Sequence, residues 1–230
     1  MEAGTAMEVI YEGKTKRLLK VGDHAVLKFK DEVTGDAEGN PDPGGNLVVG
    51  TLEGKGAASA KVAAYFFKLM GEADIPTHFK GLRSDDEIEV ALTTPIPLEV
   101  IYRAKALGSF LTRYRGHVEP LTPLDLVEFN LKNDKLRDPL ITRQAILKLG
   151  LTGDVELGRI EVTTRRVAGL VRRVLTEVGL ELIDMKLEFG RAGDKLLVID
   201  GLSGDTMRVY DPGKKKVLNQ LELAEGFSLT

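Results

Sequence analysis

A chain of 230 residues, 43% hydrophobic and 29% charged, buries roughly 70–75% of its unfolded surface as one large domain or two small lobes, which excludes disorder, collagen and coiled coil. The formal net charge of −3 provides no basic field for nucleic acid or an anionic membrane, so any phosphate must be held by a local site. The absence of cysteine excludes a disulfide framework, a thiolate nucleophile and sulfur-ligated zinc, and fits a reducing cytoplasm. The longest clearly apolar run, Val62 to Phe67, is far short of the ~18 residues of a membrane span, and the N-terminus has no signal-peptide core.

In chain order, Glu8 to Tyr11, Arg17 to Val21 and Ala25 to Lys30 read as short strands, with a Gly22-Asp23 turn joining the last two into a small antiparallel sheet. Gly35 to Gly56 carries seven glycines together with Pro41 and Pro43, which predicts a mobile surface loop. Ala57 to Met70 places Val62, Phe66 and Leu69 at helical spacing, with Gly71 as its stop. Glu87 to Leu92 and Leu98 to Arg103 read as strands, and the connector Thr93 to Pro97 marks a stiff hinge between lobes near residue 95. Thr142 opens a short helix to about Leu149. A longer helix, Glu156 to Val178, carries Ile160, Val167, Leu170, Val174 and Val178 on one stripe and ends at Gly179. Arg165, Arg166, Arg172 and Arg173 lie mostly off that stripe, as a solvated face or a phosphate or partner site.

The chemistry concentrates in Ile183-Asp184-Met185-Lys186-Leu187-Glu188-Phe189-Gly190, where period-two alternation sends the apolar residues to one face and Asp184, Lys186 and Glu188 to the other. A turn within Gly190 to Asp194 returns the chain as Lys195 to Asp200, giving a hairpin with three carboxylates. Such a hairpin suits Mg²⁺ with a substrate phosphate, or an exposed sheet edge with its charges in water. A turn centred at Arg191 to Gly193 sets Asp184 opposite Asp200 and leaves Glu188 roughly 13 Å along the strand, so one ion reaches both Glu188 and Asp200 only through a bulge or another loop. Gly13, Lys14 and Lys16 occupy a strand-to-strand turn where amides and ammonium groups meet a phosphate chain, or form an ordinary exposed turn. Arg103 with Gly108 and Ser109 is a further phosphate or carboxylate candidate. His24, His78 and His117 have no metal-ligand spacing and read as structural or exposed, and no G-x-S-x-G elbow supports a serine triad.

Tyr11-Glu-Gly-Lys-Thr-Lys16, Arg103 with Leu107-Gly108-Ser109, Leu131-Lys-Asn-Asp134 with Asp138-Pro139, and Asp184 to Gly190 occur in order. Gly54-Lys55-Gly56, Ile75 to Phe79, and Asp200 to Asp211 with Ser203, Asp205, Thr206 and Arg208 accompany them. Over about residues 7 to 211 the chain resembles the SAICAR synthetase (phosphoribosylaminoimidazole-succinocarboxamide synthase) family. That resemblance implies an α+β, two-lobed fold of antiparallel sheets with packed helices and a kinase- or ATP-grasp-like cleft. Residues 1–95 would form the β-rich nucleotide lobe and 96–230 the lobe with the substrate and metal site.

It also implies a cytoplasmic, ATP-dependent ligation of L-aspartate to the ribonucleotide CAIR through an acyl phosphate, giving SAICAR, ADP and phosphate in purine biosynthesis, without nucleic-acid or membrane partners; a homo-oligomer stays open. By the same resemblance Gly13, Lys14 and Lys16 meet ATP phosphates, Lys132 lies near the nucleotide, and Glu188 with Asp200 holds Mg²⁺. Arg103, Ser109, Asp205 and Arg208 bind the ribonucleotide, with Asp184 and Lys186 as catalytic residues at its reacting end. The chain departs from the family pattern at Ala104, Gly201, Gly204, Met207 and Ser59-Ala60, in its long Gly35 to Gly56 loop, and in an expected lack of a helix after Asp211. Gly201 and Ala104 keep a non-catalytic nucleotide-binding paralogue open as an alternative, beside a small-molecule kinase of related fold.

Overall fold

The computed structural model describes residues 7–36 and 38–227; the outermost residues of both expected lobes lie outside these. Three strands, β1 (Glu8–Glu12), β2 (Lys16–Val21) and β3 (His24–Phe29), run antiparallel as expected, and β3 pairs with β7 (Glu87–Ala91), which pairs with β6 (Phe79–Ser84). Val21 faces His24 across a two-residue turn whose Gly22 has φ +63°, a conformation glycine adopts without a Cβ penalty.

The second sheet runs in the order β13 (Lys216–Val217), β12 (Met207–Asp211), β10 (Glu181–Ala192), β8 (Thr94–Lys105) and β9 (Pro123–Leu131), and β11 (Lys195–Ile199) pairs with β10. The chain leaves the first sheet at Ala91 and enters the second at Thr94, so Pro95 and Pro97 lie inside β8 rather than in a separate hinge. The last pair to β9 is Leu98 with Leu131, and the Pro97 carbonyl accepts from Lys132 N just beyond it. The N–H missing from Pro97 therefore lies past the end of the β8–β9 ladder and costs it no bond, while Pro95 lies opposite Gly190 of β10.

Helix α1 (Lys55–Glu72) packs against β3, β6 and β7 on one side and against α4 (Asp154–Glu177) and α5 (Gln220–Glu225) on another. Its first turn has no cap of its own; Asp31 reaches over to accept from Gly54 N at 3.2 Å and Gly56 N at 2.8 Å. A Cβ on Gly56 would stand 2.7 Å from the Phe29 carbonyl oxygen, so this close approach of helix to strand requires glycine. The helix runs through the expected stop at Gly71, and the left-handed residue that turns the chain is Asp74 (φ +51°).

Four further expectations change. The glycine-rich segment is not loop throughout: β4 (Glu32–Gly35) and β5 (Leu47–Thr51) pair into a ribbon, and Gly45 lies so close to Gly35 that a Cβ there would meet its carbonyl oxygen at 2.3 Å. The β10–β11 turn is Gly193-Asp194, with Ala192 opposite Lys195, so Glu188 faces Ile199 and stands beside Asp200. In α4 the apolar stripe ends short of Val178, which is 49% exposed and lies beyond the helix. A short C-terminal helix exists, α5, opened by the reciprocal capping of Asn219 and Glu222. Arg165, Arg166 and Arg172 bond to Asp125, the Ala73 carbonyl and the Tyr102 hydroxyl, so they pin α4 to its neighbours. Short helices α2 (Gly108–Arg113) and α3 (Arg143–Lys148, capped by Thr142) complete the fold. One buried apolar cluster joins both sheets, from Ala25 and Phe29 to Val100, Met185 and Val209. No helix among the described residues is long and apolar enough to cross a membrane.

Candidate active site

The central strands β8, β10 and β12 turn their ionic faces the same way. In register, Arg103 lies opposite Asp184 and Ile101 opposite Lys186 across β8–β10, and Arg208 lies opposite Asp184 across β10–β12. Period-two alternation buries Met185, Leu187 and Phe189 in the core and leaves Asp184, Lys186 and Glu188 on one cleft wall. That wall is not an exposed hairpin: Asp184 is 3% and Glu188 4% accessible.

Two adjoining hollows share Lys186, Glu99, Thr206 and the Gly44–Asn46 segment. The larger, about 400 Å³, is walled by Arg103, Ser109, Asp184 and Arg208. Arg103 donates to Glu128 at 2.9 Å, to Asp184 at 2.8 Å and to the Ser109 hydroxyl at 2.9 Å. Arg208 donates to Asp184 at 2.6 Å and to Asp42 at 3.0 Å, and burial, which pulls its guanidinium pKa down, is outweighed by Asp184 and Asp42. Asp42 belongs to the glycine-rich segment, which thus reaches across the hollow.

The smaller hollow, about 100 Å³, gathers Gly13, Lys14, Lys16, Lys132, Glu188 and Asp200. Lys16 pairs with Asp200 at 2.8 Å, Lys132 with Glu188, and Lys14 with Asp134. Lys186 bridges the two hollows, held by Glu99 at 2.7 Å and Glu188 at 3.0 Å. Burial pulls the Lys186 ammonium down, but Glu188, Glu99 and Asp200 drive it well above the ordinary lysine value. Burial likewise pushes the Asp200 carboxyl up, and Lys16, Lys186 and Lys132 together hold it well below the usual carboxylate range. Both groups are therefore charged at neutral pH.

Asp200 sits in a left-handed conformation (φ +67°) at the end of β11, and its carbonyl accepts from His78 Nε2 at 2.9 Å. Burial drives the His78 pKa down to about 4, so the ring stays neutral and Nε2 carries its hydrogen. Asp205, expected at the substrate, has both carboxylate oxygens on the buried Lys55 ammonium, at 2.9 and 3.0 Å, with Gln220 at 3.3 Å, and gives its carbonyl to Gly44 N. Asp42, Lys55, His78, Glu99 and Glu128 were not among the residues singled out as ligands. Glu99 alone carried a legible signal, since Leu98, Val100 and Tyr102 alternate with Glu99 and Arg103 along β8.

Two departures acquire physical reasons. A Cβ on Gly201 would stand 2.8 Å from the Phe29 ring and 3.3 Å from Lys16 Cε, so Phe29 fills the space of a side chain there. A Cβ on Gly204 would meet Gln220 of α5 at 2.8 Å. Met207 is buried in the core, and Ala104 packs against it. Nothing in the structure explains Ser59, whose buried hydroxyl has no partner among the described residues.

The family model for SAICAR synthetase matches residues 9–223. The chain belongs to the SAICAR synthetase family. It is 39% identical to the phosphoribosylaminoimidazole-succinocarboxamide synthase of Pyrobaculum aerophilum over 210 residues, covering 90% of this chain and 86% of that one. It is also 39% identical to the Clostridium tetani synthase of the same name over 215 residues, covering 90% and 94%. Among solved structures, the Ehrlichia chaffeensis synthase superposes with a TM-score of 0.84 at 30% identity, covering 93% of this chain and 89% of that one. A type-2 SAICAR synthetase in complex with ADP superposes with a TM-score of 0.82 at 31% identity, covering 93% and 88%. The α+β architecture of antiparallel sheets is that of these SAICAR synthetases.

Proposed function

We propose that this cleft performs the ATP-dependent ligation of L-aspartate to CAIR, yielding SAICAR, ADP and phosphate, in a cytoplasmic step of purine biosynthesis. The observation that carries the reading is Lys186, a half-buried cation at the junction of a lysine-rich hollow and an arginine-rich one, both walled by β10. ATP phosphates enter at Gly13, Lys14, Lys16 and Lys132. The anionic groups of the ribonucleotide enter at Arg103, Ser109 and Arg208, with Asp184 steering both guanidinium groups. The γ-phosphoryl group passes to a carboxylate oxygen of CAIR, and ADP departs. The neutral amine nitrogen of aspartate then bonds to the acyl carbon while the C–O bond to phosphate breaks, and one proton is released overall. Lys186 lies where charge moves in the first step, and such transfer depends on positioning and charge neutralisation rather than on a protein nucleophile. Asp205 serves this site through Lys55 and through Gly44.

Glu188 and Asp200 fit a magnesium ion: both carboxylates line the lysine-rich hollow, Glu188 on β10 opposite Ile199 and Asp200 just beyond it, its backbone carbonyl held by His78 and its carboxylate by Lys16. Magnesium bound there would neutralise phosphate charge. The test is ADP release with Mg-ATP and CAIR, with and without L-aspartate, and SAICAR identified by mass. Aspartate-dependent SAICAR supports the reading; ADP without SAICAR identifies a kinase, and bound ATP without turnover a non-catalytic paralogue.

A further inference from the structure

Two polar side chains lining the larger hollow, Arg137 and Asn130, have no partner among the described residues. Of its five cations, Arg103, Arg113, Arg208 and Lys186 each hold a carboxylate, and Arg137 holds none. The Asn130 side-chain oxygen is buried and accepts no hydrogen bond. Unsatisfied buried acceptors are rare enough in proteins that one lining a pocket calls for an explanation.

The backbone around Arg137 is built to present it. Arg137 (φ +59°) and Asp138 (φ +46°) are consecutive left-handed residues, a conformation that favours glycine and that proteins keep mainly at functional positions. The segment is tied down: Asn133 N donates to Asp138 Oδ1 at 2.7 Å, Leu136 N to the Asn133 carbonyl at 2.9 Å, and Leu131 N to the Pro139 carbonyl at 2.9 Å. A bridge between Asn130 and Leu140 lays this segment beside the end of β9. Across β8–β9, Asn130 is in register with Glu99, whose carboxylate holds Lys186.

A planar guanidinium free for an anion and a buried carbonyl oxygen waiting for an N–H, on one wall beside the reacting lysine, suit a ligand with both a carboxylate and an amine. We infer that Arg137 and Asn130 form the amino-acid subsite, Arg137 taking a carboxylate and the Asn130 oxygen accepting from the amine. This rests on the ligase reading, and it assigns the co-substrate its own residues apart from the ribonucleotide's Arg103, Ser109 and Arg208.

The test uses the full chain with Mg-ATP, CAIR and L-aspartate. Arg137→Gly suits the left-handed backbone and removes the whole side chain, guanidinium included. It raises KM for L-aspartate about tenfold, the change expected for one charge-assisted hydrogen bond, with KM for CAIR and ATP unmoved and melting unchanged. Arg137→Lys recovers part of that loss. Succinate, which has the carboxylates without the amine, separates the two residues: its inhibition weakens in Arg137→Gly and not in Asn130→Leu, whereas L-aspartate weakens in both. A rise confined to the KM for CAIR places Arg137 at a ribonucleotide anion and overturns the proposal, as do unchanged constants for all three substrates. If the wild type makes no SAICAR, the ligase reading fails by itself. Calorimetry on the ADP-loaded protein then decides the subsite, since succinate binding to wild type and not to Arg137→Gly upholds it and equal binding overturns it.

Discussion

Lys186 is held by Glu99 and Glu188 at once, and Asp200 by Lys16 within reach of two further ammonium groups, so each is one member of a balanced cluster. Removing either charge unbalances the cluster and withdraws a group matched to phosphate or metal. Lys186→Ala and Asp200→Asn each lower SAICAR turnover about a hundredfold or more, read from kcat with saturating ATP. Near wild-type turnover in both removes them from the chemistry. Lys55 makes a different kind of pair: at 0% exposure its ammonium serves Asp205, which lines the smaller hollow and whose carbonyl accepts from Gly44 N. Lys55→Met leaves a buried carboxylate with Gln220 as its side-chain donor and destabilises the fold by about 3–5 kcal/mol, measured by denaturant unfolding. A loss under about 1 kcal/mol shows that water or Gln220 replaces the ammonium.

At the scale of elements, the glycine-rich segment between β4 and β5 bends over the larger hollow and is tied there by Asp42 to Arg208 and by Gly44 N to the Asp205 carbonyl at 3.1 Å. A phosphate or carboxylate bound to Arg208 competes with Asp42 for the same guanidinium. Asp42→Ala frees the segment, so limited proteolysis cuts residues 38–46 faster than in wild type, and CAIR, by taking Arg208 from Asp42, speeds cleavage of wild type and leaves the variant's rate unchanged. Equal cleavage of the two proteins shows the ribbon held by its backbone bonds alone. The sequence composition foretold a loop here and could not show the ribbon, because β4 and β5 are four and five residues long and, among the described residues, pair with no other strand. Where alternation was long and clean, as in Ile183 to Phe189, the core face was legible from the residues, whereas the residues left the ionic face open between a metal site and an exposed edge, and only the packed sheets show it buried. Register was not: β10 runs on through Gly190 to Ala192, and that extension brings Glu188 beside Asp200, where a turn centred at Arg191 to Gly193 had kept them apart. Partners distant in sequence, such as Lys55 with Asp205 or Asp42 with Arg208, left no local signal, since the side chains meet only once the sheets have packed.

At the scale of the molecule, the two sheets are separated by only two residues of chain and share one apolar core, into which α1 inserts Val62, Phe66 and Phe67 while α4 and α5 close over it. The site has the same dependence on both sheets. Lys14 and Lys16 come from the first, Glu188 and Arg208 from the second, and the Lys16–Asp200 pair at 2.8 Å crosses between them. Lobes joined by an apolar core of this kind lose that burial together, so neither half retains enough of its own to stay folded once the other opens. Calorimetry is expected to give one transition, with its calorimetric and van't Hoff enthalpies equal. Mg-ATP at about a hundred times its dissociation constant adds about 2.7 kcal/mol and moves that whole transition upward. Two transitions, with ATP raising only one, assign the nucleotide pocket to an independently folding half, and residues 1–95 and 96–230 then become the units in which the chain folds.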